Sequence, residues 1–433
     1  MTDKGYVILG AGLAGLSAAR HLQGQGQGQA CHVYEKEPEV GGLCRSRKAK
    51  GFTFDIDGHL LHFRHKGSLG LVNGLLKEGL AGHQRSAWVY SHERFIGYPF
   101  QANLSALPDN VRKECLDGFI KARRGSRVKA GADLARWIKG TFGDGIAKHF
   151  MVPYNTKFWT VSPRMMTCAW TEGFVPQPTL RQVSGGPGRQ EPLGYNAHFW
   201  YPRKGGIEAL PRALKAGLDN IHTGFKVRTI DLKKQRVEFS NGVKQDYAHL
   251  VSTIPLPELS GMISGLPRGI KAAFGRLRWN SLFNLNLGLR QACPSKKHWA
   301  YFPQKDISFF RVGFYHNFSS DLVPAGKSSL YAEVSYSRQK PLDKAGIVAR
   351  IEQDLEKVGL LSAGDAVLVR DINDIEYAYP VYDKGYAAAR GEILKFLQAH
   401  RVLTCGRYGS WRYMSMEDAI LDGIKTGERL AHG

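Results

Sequence analysis

Gly10, Gly12 and Gly15 stand in a Gly-x-Gly-x-x-Gly spacing, and Glu35 lies twenty residues beyond the last of them. That combination suits a dinucleotide. Glycines allow a tight turn, the approach of a pyrophosphate and close helix–strand packing, and an acid at that distance accepts hydrogen bonds from an adenosine ribose. Glu35 would repel a 2′-phosphate, so the ribose it fits is unphosphorylated. Gly41-Gly42 follows within seven residues and brings more backbone to the same ligand, and Arg45 can face a phosphate.

These residues need a strand, a turn and a helix behind them. Gly5–Leu9 reads as a short buried strand, 10–15 as the turn through Leu13 and Ala14, and Leu16–Leu22 as the helix. The helix N-terminus offers unpaired N–H groups and partial positive charge to an anion. A second strand, Cys31–Tyr34, delivers Glu35. Helix-like stretches follow at 69–76 and 134–138. From about residue 205 the pattern returns to the nucleotide-binding part, with a helix at 206–214 and paired strands at 226–232 and 236–239. Asn241-Gly242 supplies the positive-φ chemistry of a hairpin turn. Alternating apolar runs near 281–289, 299–314 and 328–336 read as an antiparallel sheet, and 346–358 as a helix.

The predicted fold class is α/β: a Rossmann-type nucleotide-binding domain, discontinuous in sequence, with a helical insertion and an antiparallel β-sheet substrate domain. Its expected parts are 1–65, 205–260 and 366–433. Residues 66–204 form the mainly helical cap, and 261–365 the antiparallel-sheet substrate domain.

A chain of 433 residues can bury a large core in two or three domains. No run approaches the ~18 apolar residues of a spanning helix. The nucleotide fold begins almost at once, which leaves no room for a signal peptide. Cys31, Cys44, Cys115, Cys168, Cys293 and Cys405 are far apart with no CxxC pair, so neither a zinc site nor a disulfide framework is expected and a reducing cytoplasm fits. Sixty Lys and Arg against 38 Asp and Glu give a net charge of +22. Sugar nucleotides, an anionic membrane face or nucleic acid could exploit that charge, but no nucleic-acid motif accompanies it. Nine of the cations fall in 111–140, among them Arg127 and Lys129; a solvated helical face explains them equally well.

The glycine arrangement, extended by Gly51-Phe52-Thr53-Phe54-Asp55-Ile56-Asp57-Gly58-His59, resembles the flavin-binding fingerprint of amine-oxidase-like flavoproteins. Further blocks resemble the UDP-galactopyranose mutase-like and protoporphyrinogen-oxidase-like members of that superfamily. They are Pro153-Tyr154-Asn155-Thr156-Lys157-Phe158-Trp159 with 162–166, Gly194-Tyr195-Asn196-Ala197-His198-Phe199-Trp200-Tyr201-Pro202 with 205–207, Tyr377-Ala378-Tyr379-Pro380-Val381-Tyr382, and 406–413. The resemblance implies FAD. Its cofactor contacts would be Gly10, Gly12, Leu13, Ala14, Gly15, Glu35, Lys36, Gly42, Leu43, Arg45, Gly58, His59, Val227, Arg407 and Met416. Ser415-Met416-Glu417-Asp418 is placed like a capping box, so a helix starting there would aim its dipole at the flavin.

In the mutases arginines and tyrosines clamp a substrate diphosphate. On that pattern Arg311 is the clamp candidate, since a guanidinium grips phosphate through two parallel hydrogen bonds. Tyr377, Tyr379 and Tyr382 match the tyrosine-rich segment, and Tyr154, Trp159 and Tyr413 fall in the other substrate blocks. Arg311, Tyr379, Tyr382 and His59 form the implied catalytic set. Where a Phe-Arg-aromatic-Pro pattern would supply a second arginine, this chain has Phe199-Trp200-Tyr201-Pro202. Trp200 can stack but cannot grip phosphate as a charge, which leaves Arg203 and Lys204 to compensate. His59, His62 and His65 sit in a carboxylate-poor loop, and no metal is expected.

The implied activity is a pyranose/furanose rearrangement of a nucleotide sugar through an adduct at N5 of reduced flavin. It needs a flavin reductant, NADPH, NADH or a reductase. The alternative is an FAD-dependent oxidase, dehydrogenase or desaturase, which could meet an anionic membrane through the basic surface.

Overall fold

The computed structural model describes residues 5–125, 128, 131–185, 193–194, 196–362, 364 and 366–432. Arg127, Lys129 and Tyr195, singled out above, lie outside the described residues. Five parallel strands form one sheet in the order Val402–Thr404, His249–Ser252, Tyr6–Leu9, Cys31–Glu35 and Ile221–Thr223. Val7, Ile8 and Leu9 are all buried, as expected for a central parallel strand covered on both faces. The helix Leu13–Gly24 follows directly.

That helix packs against Met416–Ala431 more closely than any side chain would allow. A Cβ on Gly423 would lie 2.3 Å from the Ala14 carbonyl oxygen, and one on Gly427 3.0 Å from that of Ala18. The order of these contacts makes the two helices run in the same direction. Both N-termini therefore turn toward the carboxyl end of the parallel strands, where ligands of such sheets bind.

A small antiparallel sheet, Val227–Asp231, Arg236–Phe239 and Lys244–Asp246, stands beside this layer. The expected hairpin forms, and Gly242 at φ +84° makes its turn.

The second main layer is a seven-stranded sheet. Its order is Val367–Pro380, Trp279–Leu289, Ser328–Tyr336, Arg311–Gly313, Trp299–Tyr301, Ala87–Ser91 and Arg94–Gly97. All neighbours are antiparallel except Trp299–Tyr301 on Ala87–Ser91. Two boundaries differ from expectation. The stretch 66–204 carries its helices, Asp109–Arg124, Leu134–Ile146 and Val152–Trp159, but also contributes two strands here. The β-prone run Ala87-Trp88-Val89-Tyr90-Ser91 alternates buried and half-buried and extends the sheet instead of looping over it. Residues 367–380 do not belong to the nucleotide-binding layer. They pair along Trp279–Leu289 as an edge strand, and Arg47 and Lys50 bond the backbone carbonyls of Ile372 and Leu368 on that strand. Among the described residues, no helix is long and apolar enough to cross a membrane.

Candidate active site

A cavity of about 880 Å³ lies between the parallel layer, the large sheet and the helical segment. Its dinucleotide end is built by backbone. Gly12 precedes the first helix in an extended conformation, and no side chain caps that N-terminus. Gly42, at φ +58°, packs directly against it at the cavity wall: a Cβ on Gly42 would sit 3.4 Å from the Gly12 Cα. The two glycines thus leave a cradle that side chains would fill. Buried Glu35 accepts N–H bonds from Ala11 (2.8 Å) and Glu37 (3.0 Å), which fixes its carboxylate at the cavity wall. Arg45 donates to the Gly42 carbonyl at 2.9 Å and pairs with Glu37. Met416, first residue of the last helix, is held by the Ser415–Asp418 capping box.

The far end is a chamber of aromatic rings around a few charges. Arg311 holds Glu333, directly opposite on the neighbouring strand, through both carboxylate oxygens, with Nη2 to Oε1 at 2.6 Å. Asp57 lies within hydrogen-bonding reach of Glu333. It follows the strand Phe52–Asp55, whose end is anchored by Asp55: this buried carboxylate accepts from Tyr201 Oη (2.6 Å), Ser46 Oγ (2.7 Å) and the Ile207 N–H (3.1 Å).

Burial pushes Glu333 well above the usual carboxylate range; Arg311 opposes that shift and Asp57 adds to it. Burial works the same way on Asp57, but the Glu333 hydrogen bond, Arg311 and His59 prevail and hold it low. His59, whose Nδ1 lies 2.9 Å from the Asp57 carbonyl, is pushed down by burial and stays neutral. Arg407 donates to the Met414 carbonyl at 2.9 Å and lies over the rings of Tyr379 and Tyr413 at 5.4 and 5.3 Å. Tyr379 and Tyr413 stack on each other, while Tyr154 stacks on Phe150 and Phe158.

The family of flavin-containing amine oxidoreductases matches residues 13–431. The chain belongs to this family. As a fold, the flavoprotein is similar to reduced UDP-galactopyranose mutase, with 28% identity and a TM-score of 0.93 over 99% of this chain and 96% of that one. It is also similar to a putative protoporphyrinogen oxidase from Exiguobacterium sp. 255-15 (16% identity, TM-score 0.76, 100% and 99% covered). Cyclohexylamine oxidase from Brevibacterium oxydans IH-35A shares the fold at 14% identity and TM-score 0.72, with 99% of each chain covered. The cofactor is FAD, and the Gly12–Gly42 cradle, the uncapped helix and the Glu35 carboxylate fit its pyrophosphate and ribose.

Of the residues expected to touch that cofactor, Gly10, Gly12, Leu13, Ala14, Glu35, Lys36, Gly42, Leu43, Arg45, Gly58, His59, Val227, Arg407 and Met416 line the cavity of the flavoprotein. Gly15 does not. A Cβ there would meet the Gly10 carbonyl oxygen at 2.1 Å, so its smallness lets the helix sit on its own turn.

The substrate candidates divide. Tyr154, Arg311, Tyr379 and Tyr413 line the chamber, and Tyr377 also lines the cavity. It packs on Trp279 and Trp411, parted from Tyr379 by a register shift between their strand pairs. Four others are elsewhere. Trp159 is fully buried and donates to Asn155. Tyr382 accepts the Tyr413 N–H at 2.7 Å and packs on Tyr386. Trp200 covers Gly82 and Phe63 on the ribbon with Leu80–Gln84, and Arg203 is exposed in the turn beyond it. Sequence reasoning missed Asp57, Glu333, Tyr98 and Tyr301. The signal for Glu333 was available: a lone acid within the otherwise apolar or small run Ser328–Tyr336.

Proposed function

We propose that this flavoprotein rearranges the sugar ring of a nucleotide sugar. The observation that carries the reading is the likeness to reduced UDP-galactopyranose mutase, which extends over 99% of the chain at 28% identity. The chamber supports it. Arg311 commits Nε and Nη2 to Glu333, and a guanidinium has five N–H donors, so donors remain for a departing diphosphate. Tyr154, Tyr379 and Tyr413 line the same space, and tyrosine hydroxyls can share that charge. When bound and reduced, FAD supplies an electron-rich ring for redox-neutral chemistry.

The side chains do the rest. Arg407, buried over two tyrosine rings, keeps a fixed positive charge beside the cofactor space. Neutral His59 positions the 57–59 turn. The aromatic walls keep water from a sugar that has lost its leaving group. A flavin reductant, NADPH, NADH or a reductase, is a required partner, and the net charge of +22 steers an anionic substrate.

One observation favours a second reading, an oxidoreductase. The positive charge of Arg311 is largely met by Glu333, and Phe150, Met151, Phe158, Phe174 and Pro176 form an apolar wall suited to an uncharged hydride donor. Anaerobic incubation of oxidised and dithionite-reduced holoenzyme with UDP-galactopyranose and other nucleotide sugars, followed by NMR, separates the two. A rearranged sugar formed by reduced enzyme alone is the expected result. Bleaching of oxidised flavin by a substrate, with no rearrangement in the reduced state, would overturn it.

A further inference from the structure

Arg311, Glu333 and Asp57 come from three separate stretches and meet at the chamber wall. Glu333 is fully buried behind the wall, whereas Asp57 opens onto the cavity. Their carboxyl groups lie within hydrogen-bonding reach of each other, and Asp57 Oδ1 is buried without an N–H or O–H donor. Two bare carboxylates cannot keep such a contact, because like charges that close in a buried site do not both ionise. One proton between them removes the repulsion and supplies the missing donor. Arg311 on the far side of Glu333 then balances the single remaining charge.

We propose that Asp57 and Glu333 hold one proton between them, and that Asp57 passes it to and from substrate oxygens in the chamber, with Glu333 and Arg311 as positioning residues. This role rests on the nucleotide-sugar reading. Exchanging one ring for another requires the old ring oxygen to gain a proton and a different hydroxyl to lose one. The old ring oxygen keeps the electron pair of its breaking C–O bond and takes the stored proton through Asp57. The hydroxyl that closes the new ring returns a proton to the pair as its oxygen forms the new C–O bond. The exchange consumes no proton and no electrons.

The pair stands in well-defined company. Cationic Arg311 and neutral His59 face it, and Asp55, at the end of the strand Phe52–Asp55, lies two residues back along the chain. Tyr315, Tyr331, Tyr379 and Tyr408 surround Asp57, with Tyr154 and Tyr413 beyond Glu333. Burial holds the hydroxyl protons of these tyrosines on and pushes Asp55 up to about 7, but Asp55 does not line the cavity, so the pair is the carboxyl group that can exchange a proton with the chamber.

Infrared difference spectra of the FAD-loaded protein in H2O and D2O near neutral pH test the stored proton without any substrate. Asp55, pushed up to about 7 by burial, adds a band of its own that only Asp55→Asn removes. The expected result is a second carboxylic-acid C=O band that shifts in D2O, vanishes in both Asp57→Asn and Glu333→Gln, and survives Asp55→Asn. Absence of such a band in the unsubstituted protein overturns the proposal. With a sugar that rearranges, Asp57→Asn should lower kcat by roughly 10²–10⁴-fold with little change in KM, and Asp57→Glu should restore part of it. Glu333→Gln should displace the pH profile. Unchanged turnover in Asp57→Asn overturns the transfer role while the nucleotide-sugar reading stands. If no sugar rearranges, the transfer role falls with that reading, and the infrared band alone decides whether the pair holds a proton.

Discussion

At the dinucleotide end of the cavity, Gly10, Gly12, Glu35, Gly42 and Arg45 come from one short stretch of chain, and much of what they offer is backbone. At the other end Asp57, Tyr154, Arg311, Tyr379 and Tyr413 arrive from five distant segments, and all of what they offer is side chain. The first end depends on local conformation, which glycine spacing dictates. The second depends on sheet register and on which face of each strand turns inward, which only the assembled fold decides.

Substitutions should expose this difference, and the largest effect belongs to the local end. Gly12→Val should leave folded, colourless protein, because Gly12 has ordinary negative φ and a Cβ there would meet the Gly42 Cα at 4.0 Å, an ordinary contact. The added side chain would occupy the pyrophosphate position. Flavin affinity should fall by about 100-fold or more, equivalent to ~2.8 kcal/mol, as read by flavin retention and titration of the apoprotein. Normal flavin content would move the pyrophosphate elsewhere.

Arg311→Ala should strike stability instead. Removing one partner of a buried ion pair costs about 3–5 kcal/mol, and here it strands the charge shared by Asp57 and Glu333. Thermal unfolding should show the loss, and adding Asp57→Asn should recover much of it. Equal unfolding temperatures for Arg311→Ala and the unsubstituted protein would deny the pair its structural weight.

A smaller effect concerns acid. The His298 ring accepts the Ser86 N–H at 2.9 Å through Nδ1, and burial pushes it down to about 4. The unfolded chain takes up that proton near the ordinary value of 6.5, the folded one only near 4. Stability from this residue is therefore complete above pH 6.5 and is lost as pH falls from there toward 4. His62, also pushed to about 4, adds to the same slope. His298→Asn should flatten it in urea unfolding measured across that range, and an unaltered slope would exclude His298 as a contributor.

The smallest effect should come from Trp200→Phe and Arg203→Ala. Neither residue lines the cavity, so kcat/KM should stay within about twofold, the scale of ~0.5 kcal/mol typical of surface changes. A large loss of substrate affinity in either would place them at the substrate after all.

The same contrast explains what could be read from the sequence. The strand–turn–helix, Glu35, the hairpin at Gly242 and the Ser415–Asp418 capping box were legible because each rests on neighbours in sequence. Arg311 was legible through resemblance, but its partner was not, since Glu333 becomes its neighbour only by cross-strand register. Trp159, Trp200 and Tyr382 mislead for a related reason. A large aromatic residue next to a site has the same type whether it faces the ligand or the core, and the deciding half-turn of backbone leaves no mark on composition. Residues 367–380 read as part of the nucleotide-binding domain, although they pair with the large sheet, because an edge strand with polar residues on its open side resembles a connecting segment.

The close contact of Gly423 and Gly427 with the first helix has a consequence for the order of events during synthesis. The turn that will hold the pyrophosphate is made in the first dozen residues, yet its supporting helix gains its neighbour only when residues 416–431 have left the ribosome. Domains of a nascent chain tend to fold in order of emergence. Here the strand Tyr6–Leu9 and its helix wait for a partner roughly 400 residues further along the chain, so flavin capture should follow the emergence of residues 416–431. A pulse of labelled flavin should be retained by released chains and not by those stalled before residue 416.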